Sequence, residues 1–248
     1  MRWDVRVGLF VTCLVDLMRP RIGFAALELL EAAGCEVVVP VTQTCCGQPA
    51  YNAGERAAAR TLAIKLLEEF AHCDYVVLPS GSCTGMVRTH YPALVADDAE
   101  LSARMAALVA KTFELTEFLV QVAQVDTLPG SEVLSAEVTY HDSCTGLREL
   151  GIQSQPRALL GQCRHVRLKE MNGAEECCGF GGAFSAKFGA LSAAIAEKKC
   201  ANIQASGANA VVGGDLGCLL NIEGKLRRMG DETTRVLHVA EVLAGRID

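Results

Sequence analysis

Short, nearly continuous apolar runs recur along the chain: RVGLFV from Arg6, EVVVPV from Glu36, YVVLP from Tyr75, EVTYH from Glu137, HVRL from His165 and AVVGG from Ala210. Runs of this kind, separated by segments with helical signals, predict strands buried on both faces of a parallel sheet. Pro20 and Pro156 stand where helices should begin, and Gly34 and Gly161 follow soon after their expected ends. Asn52 and Glu55, three residues apart, read as the cap of a helix running to about Phe70. A further long helix is expected over about residues 97–125, before the turn-forming Leu128-Pro129-Gly130. The fold class is α/β.

The pattern repeats. Residues 5–83 and 136–218 share one layout: a strand, a cysteine, a helix, a second strand, a CCG triplet, another helix, a third strand and a final cysteine. DYVVLPSGSC, ending at Cys83, lies without a gap over NAVVGGDLGC, ending at Cys218. The interval from the first cysteine to the triplet is 31 residues after Cys13 and 32 after Cys144. The next interval is 36 residues after Cys46 and 39 after Cys178, a difference that the glycine-rich stretch after Cys178 can absorb. This regularity predicts an internal duplication. Residues 1–90 form the first repeat, residues 91–135 a bridging helical segment, and residues 136–248 the second repeat with C-terminal helices. Two similar halves related by a pseudo-twofold are expected.

Composition narrows the function. Half of the 248 residues are hydrophobic, enough for a sizeable core, and the formal net charge of −6 leaves no basic stripe for nucleic acid. The apolar N-terminal stretch is soon followed by Asp16 and shows no cleavage site, so it reads as a first strand and not as a signal peptide. No apolar run is long enough to insert into a membrane, and a cytoplasmic location is expected. Twelve cysteines in such a chain point to metal binding, redox chemistry or both.

Eight of them sit where chemistry is expected. Cys13, Cys45, Cys46 and Cys83 in the first half, and Cys144, Cys177, Cys178 and Cys218 in the second, follow strands whose carboxyl ends gather on one edge of a parallel sheet. Adjacent residues of an extended strand point to opposite faces, so a CC pair can serve one site only where the chain turns, and Gly47 and Gly179 permit that turn. The donor set suits an iron-sulfur cluster, up to one per half, with structural zinc as the alternative metal. Buried apolar packing and a vicinal disulfide are competing readings of a CC pair, weakened by its recurrence at matching positions. Cys35, Cys73, Cys163 and Cys200 read as core residues.

Three features remain. Ser80 and Asp215 occupy equivalent places three residues before the last cysteine of each repeat, as caps or cluster contacts. His141, three residues before Cys144, has Phe10 as its counterpart. GFGGAFSAKFG from Gly179 lacks the GxxxxGK[ST] pattern of a phosphate loop, and its glycines read as letting backbone amides approach a cluster.

The stretches TCLVDLMRP, QTCCGQPAYNAGE, LPSGSCTGMVR, HDSC, CCGFGGAFSAKFG and GGDLGCLLNIEGKL together resemble the cysteine-rich CCG-domain family over nearly the whole chain, its lactate-utilisation members above all. Other members are the CCG-bearing subunit of heterodisulfide reductase and the iron-sulfur subunit of glycolate oxidase. The resemblance implies 4Fe-4S clusters on the eight cysteines and electron transfer during oxidation of L-lactate, or a similar 2-hydroxy acid, to pyruvate. It also implies companion lactate-utilisation proteins of the B and C type, or another redox subunit, as partners. The chain departs from the fullest family pattern, C…CC…CxxC, because Ser80 and Asp215 replace the first cysteine of CxxC. That departure speaks against a cluster needing five cysteines. A cluster-based thiol/disulfide oxidoreductase and a zinc-bound interaction scaffold stand as alternatives. No residue set suggests hydride or proton abstraction, so catalytic residues are unassigned and the substrate-oxidising centre is expected in another subunit.

Overall fold

A computed structural model describes residues 5–132 and 135–247; Val133 and Leu134, in the expected bridge, lie outside the described residues, as do residues 1–4 and 248. Two four-stranded parallel sheets repeat one topology. The first holds β1 (Arg6–Leu9), β2 (Glu36–Val38), β3 (Tyr75–Leu78) and β4 (Thr112–Glu114) in the order β2-β1-β3-β4. The second holds β5 (Ala136–His141), β6 (Val166–Leu168), β7 (Ala210–Gly213) and β8 (Arg235–His238) in the order β6-β5-β7-β8. The six strands expected from the apolar runs are present, and the two similar halves follow the duplication.

The fourth strand of each sheet departs from the sequence pattern. The helix expected over about 97–125 ends at Ala110, and residues 112–114 pair with β3, Phe113 opposite Val77. Sheet pairing overrides a run whose local propensity is helical, because each paired residue completes a ladder that a helix would leave open. In the tail expected to be helical, β8 likewise pairs with β7, Leu237 opposite Val212. TFELTEFL from Thr112 lies over VLHVAEVL from Val236, so the repeated unit extends through the helix after the fourth strand.

That extension explains how the halves join. Helix Arg21–Ala32 carries Ile22, Ala25, Ala26, Leu29 and Leu30 at helical spacing, all buried. It packs on helix Val239–Ala244 of the second half. Its counterpart in the second half, helix Ser154–Leu160, packs on helix Leu115–Glu117 of the first. One apolar core, containing Leu29 and Leu119 as well as Leu159 and Leu243, therefore runs through both halves. Each fully buried Leu or Ile contributes on the order of 1.5–3 kcal/mol. Ion pairs rim this contact: Arg19 with Glu223 at 2.7 Å, Arg246 with Glu28 at 2.6 Å, and Arg21 with the buried Glu241. No helix among the described residues is long and apolar enough to cross a membrane.

Candidate metal centres

In each sheet the chain turns outward in opposite directions from the first and third strands, which opens a crevice beyond their carboxyl ends. β1 runs into Thr12, held at φ 75°, and then into helix Cys13–Met18. β3 runs into Ser80 and helix Gly81–Gly85, which carries Cys83. The loop after β2 delivers Cys45 and Cys46, and Gly47 turns the chain away at φ 83°. Gly179 does the same in the second half at φ 86°.

The eight cysteines gather as two sets of four. Cys13 and Cys45 place their Sγ atoms 3.7 Å apart, and Cys46 and Cys83 theirs 3.3 Å apart. Both distances are far beyond a disulfide bond, and all twelve cysteines are free. In the second half Cys144 interacts with Cys177, and Cys178 with Cys218. Cys46 and Cys178 turn inward and are buried, whereas Cys13, Cys45, Cys144 and Cys177 are half-buried. Cys35, Cys73, Cys163 and Cys200 are buried in the apolar cores, as their sequence context implies.

Backbone groups face the sulfurs. Gly47 N–H donates to Cys45 Sγ at 3.4 Å, Gly179 N–H to Cys177 Sγ at 3.3 Å, and Phe180 N–H to Cys178 Sγ at 3.5 Å. The turns themselves are pinned by side chains: Tyr91 donates its hydroxyl to the Cys46 carbonyl at 2.8 Å, and Asn221 its amide to the Cys178 carbonyl at 2.9 Å. A Cβ on Gly179 would lie 2.5 Å from the Ser192 carbonyl oxygen, whereas Gly54, at φ 87°, has nothing within 4 Å. Both Gly179→Ala and Gly54→Ala should lose roughly 1–3 kcal/mol from backbone strain. Only Gly179→Ala adds a backbone clash, so thermal unfolding should show it as the more destabilised variant.

The thiols cannot all ionise unaided. The Cys45 thiol is pushed down to about 2, first by the bond it accepts from Cys13 and then by one from Cys46. The same Cys13–Cys45 bond, with burial, pushes the Cys13 thiol well up. Cys46 rises through its bonds to Cys45 and Cys83 and through burial. Four thiolates so close together call for a cationic core, and soft sulfur donors with N–H groups aimed at them fit an iron-sulfur cluster.

Ser80 and Asp215 meet where the two halves touch. Ser80 Oγ caps its own helix, accepting from Cys83 N–H at 3.3 Å, and donates to Asp215 Oδ2 at 3.1 Å. Asp215 does not cap its own helix; its Oδ2 accepts instead from Ser82 N–H of the other half at 2.9 Å. A cavity of about 170 Å³ beside Cys13, Cys45, Cys46 and Cys83 is also walled by Phe180, Gly182 and Asp215 of the second half. One of about 210 Å³ beside Cys144, Cys177, Cys178 and Cys218 is walled by Gln48, Asn52 and Ser82 of the first. Each half thus completes the other's site, and Asp215 and Phe180 line both.

Two side chains near the second set carry no sulfur. Lys199 is buried, donates to the Gly173 carbonyl and, at 3.1 Å, to that of Ala174, and has its pKa lowered by that burial. A lysine within a helical run gives no hint of such a place, although Ser192, Ala196, Lys199, Cys200 and Ile203 form one buried helical stripe. His141 ends β5 fully buried; its ring is held neutral, its pKa pushed down to about 3 by burial and by Lys199. Neither ring nitrogen has a hydrogen-bond partner, which costs about 1–3 kcal/mol per buried group.

Comparison with known proteins agrees with this layout. A CCG family model described as a cysteine-rich domain matches residues 7–88 and 138–223, one match per half. The chain is 45% identical to lactate utilization protein A of Geobacillus kaustophilus over 242 residues, covering 98% of this chain and 100% of that protein. It is 43% identical to the protein of the same name from Bacillus subtilis with the same coverage. The solved structure of a hypothetical protein from Helicobacter pylori shares the fold with a TM-score of 0.70 at 10% identity, over 96% of this chain and 48% of that one.

Proposed function

Because the chain belongs to the cysteine-rich CCG-domain family, we propose that its two four-cysteine sets each hold an iron-sulfur cluster of the 4Fe-4S kind. We propose further that the protein is the electron-transfer subunit of a complex that oxidises L-lactate, or a similar 2-hydroxy acid, to pyruvate. The observation that carries the first part is the convergence of two matched sets of four thiols from strand ends far apart in sequence, with Cys46 and Cys83 3.3 Å apart and no disulfide. The lactate part rests on the names of relatives that match over their full length.

In this reading Cys13, Cys45, Cys46 and Cys83 hold one cluster, and Cys144, Cys177, Cys178 and Cys218 the other. Such a cluster supplies a one-electron carrier. The chain's own groups set how readily it is reduced. The N–H groups of Gly47, Gly179 and Phe180 draw electron density from the ligand sulfurs. The buried Lys199 ammonium offsets negative charge at the second set. The cavities share the walls formed by Gln48, Ser82, Phe180, Gly182 and Asp215, so the two carriers are neighbours and one electron can visit both. The oxidation itself is assigned to a companion protein of the B or C type or to another redox subunit.

Anaerobic purification with iron and sulfide analysis, followed by EPR before and after dithionite, tests this reading. The expected result is about eight irons and eight sulfides per chain, the sum for two 4Fe-4S clusters. Colourless protein with stoichiometric zinc and neither iron nor sulfide defeats it.

A further inference from the structure

We propose that His141 is a fifth donor of the second centre, binding its metal through an imidazole nitrogen, so that this centre is a mixed histidine and thiolate site while the first is purely thiolate. The inference rests on the iron-sulfur reading above and adds a ligand to it.

The geometry is local and specific. One ring nitrogen of His141 and the Sγ atoms of Cys178 and Cys218 all lie within 4.8 Å of one another. The histidine is 1% exposed, and neither of its nitrogens has a hydrogen-bond partner. The Ala174 carbonyl, to which Asp142 N–H and Lys199 Nζ each donate at 3.1 Å, also faces the ring and orients it. The neighbouring Asp142 carboxylate is engaged by Arg157 at 2.8 and 2.9 Å. Buried polar groups in folded proteins are nearly always paired, and an imidazole that faces one carbonyl and has a nitrogen free beside two thiols is placed to bind a metal.

The duplication supplies an internal control. At the matching position of the first half stands Phe10, equally buried, its ring 6.0 Å from that of Phe70 in an edge-on contact. The fold therefore accepts a plain aromatic ring at this point, and packing does not explain the polar one. An imidazole bound beside the four thiolates changes the donor set of the second centre alone, so the two centres differ in reduction potential. That difference gives the pair of neighbouring centres a direction.

The test is pulsed EPR on the full chain, purified anaerobically and reduced in steps. Natural-abundance protein should show nitrogen modulation from a directly bound imidazole, and protein grown with nitrogen-15 histidine should show it replaced by the nitrogen-15 pattern. The modulation should persist in Cys46→Ala, which disables the first centre. In His141→Phe, the residue the first half uses, it should vanish, and the second centre's reduction potential should shift while the first centre's stays in place. Should His141→Phe fail to fold by circular dichroism, the isotope comparison in the unmodified protein and in Cys46→Ala still decides. Protein with iron and sulfide at both centres and no histidine nitrogen coupling overturns this inference alone; protein without iron and sulfide overturns the cluster reading and this one together.

Discussion

Cys178→Ala, made together with His141→Phe, should bind half the iron and half the sulfide of the unmodified protein, with the loss confined to the second half. Cys178 is buried and pairs with Cys218, but its backbone is fixed independently, through the carbonyl that accepts from Asn221 at 2.9 Å and through the turn at Gly179. Removing one sulfur atom leaves a void smaller than a methylene pair and should cost about 1 kcal/mol, too little to unfold the chain. Three thiolates remain in the set, one fewer than the four a cubane needs, and His141→Phe denies it the imidazole as a stand-in. Cys46→Ala should remove the other half of the iron for the mirrored reason. Cys200→Ala provides the contrast. Its thiol is also fully buried, but it packs in the apolar core and points to the Ile222 carbonyl at 3.6 Å, so it should lose a similar amount of stability and no iron. Iron and sulfide analysis beside thermal unfolding separates the three, and full iron in the Cys178→Ala, His141→Phe double variant would remove Cys178 from the ligand set.

That contrast was legible in the sequence, and the reason is physical. A duplicated chain prints its chemistry twice, so the eight cysteines at matched offsets from strand ends separate from Cys73 and Cys200, which have no counterpart in each other. The same device could have revealed the fourth strands, since TFELTEFL and VLHVAEVL match, but three-residue strands carry too little local pattern to compete with the helical run around them. Lys199 was hidden by its type: a lysine inside a helix reads as solvated, and only its phase on the stripe with Ala196, Cys200 and Ile203 shows that it points inward. Tyr91 left no signal at all. Its bond to the Cys46 carbonyl spans 45 residues and exists only once the first half has closed.

Asp215 is the residue whose meaning changed most between sequence and structure, and its removal should have the widest effect. The sequence places it and Ser80 at matched positions; the structure places them against each other, at the contact between halves. Asp215→Ala would take the acceptor from the half-buried Ser82 N–H and the buried Ser80 Oγ, bonded to the carboxylate at 2.9 and 3.1 Å, and leave Ser80 Oγ only Ser82 Oγ at 3.3 Å. Two such losses amount to about 3 kcal/mol. For a chain of this size that is a fall of roughly 6–12 °C in the unfolding midpoint. Because Asp215 walls both cavities, iron should be lost from both halves together, unlike the one-sided loss in the Cys178→Ala, His141→Phe double variant. Asp215→Asn separates scaffold from charge. Its amide oxygen can still accept from Ser82 N–H and Ser80 Oγ, so stability and iron should largely return. The missing negative charge should then raise both reduction potentials in an EPR-monitored titration. If Asp215→Ala kept full iron and unfolded at the temperature of the unmodified protein, the contact between Ser80 and Asp215 would be incidental, and the two centres would be held independently by their own halves.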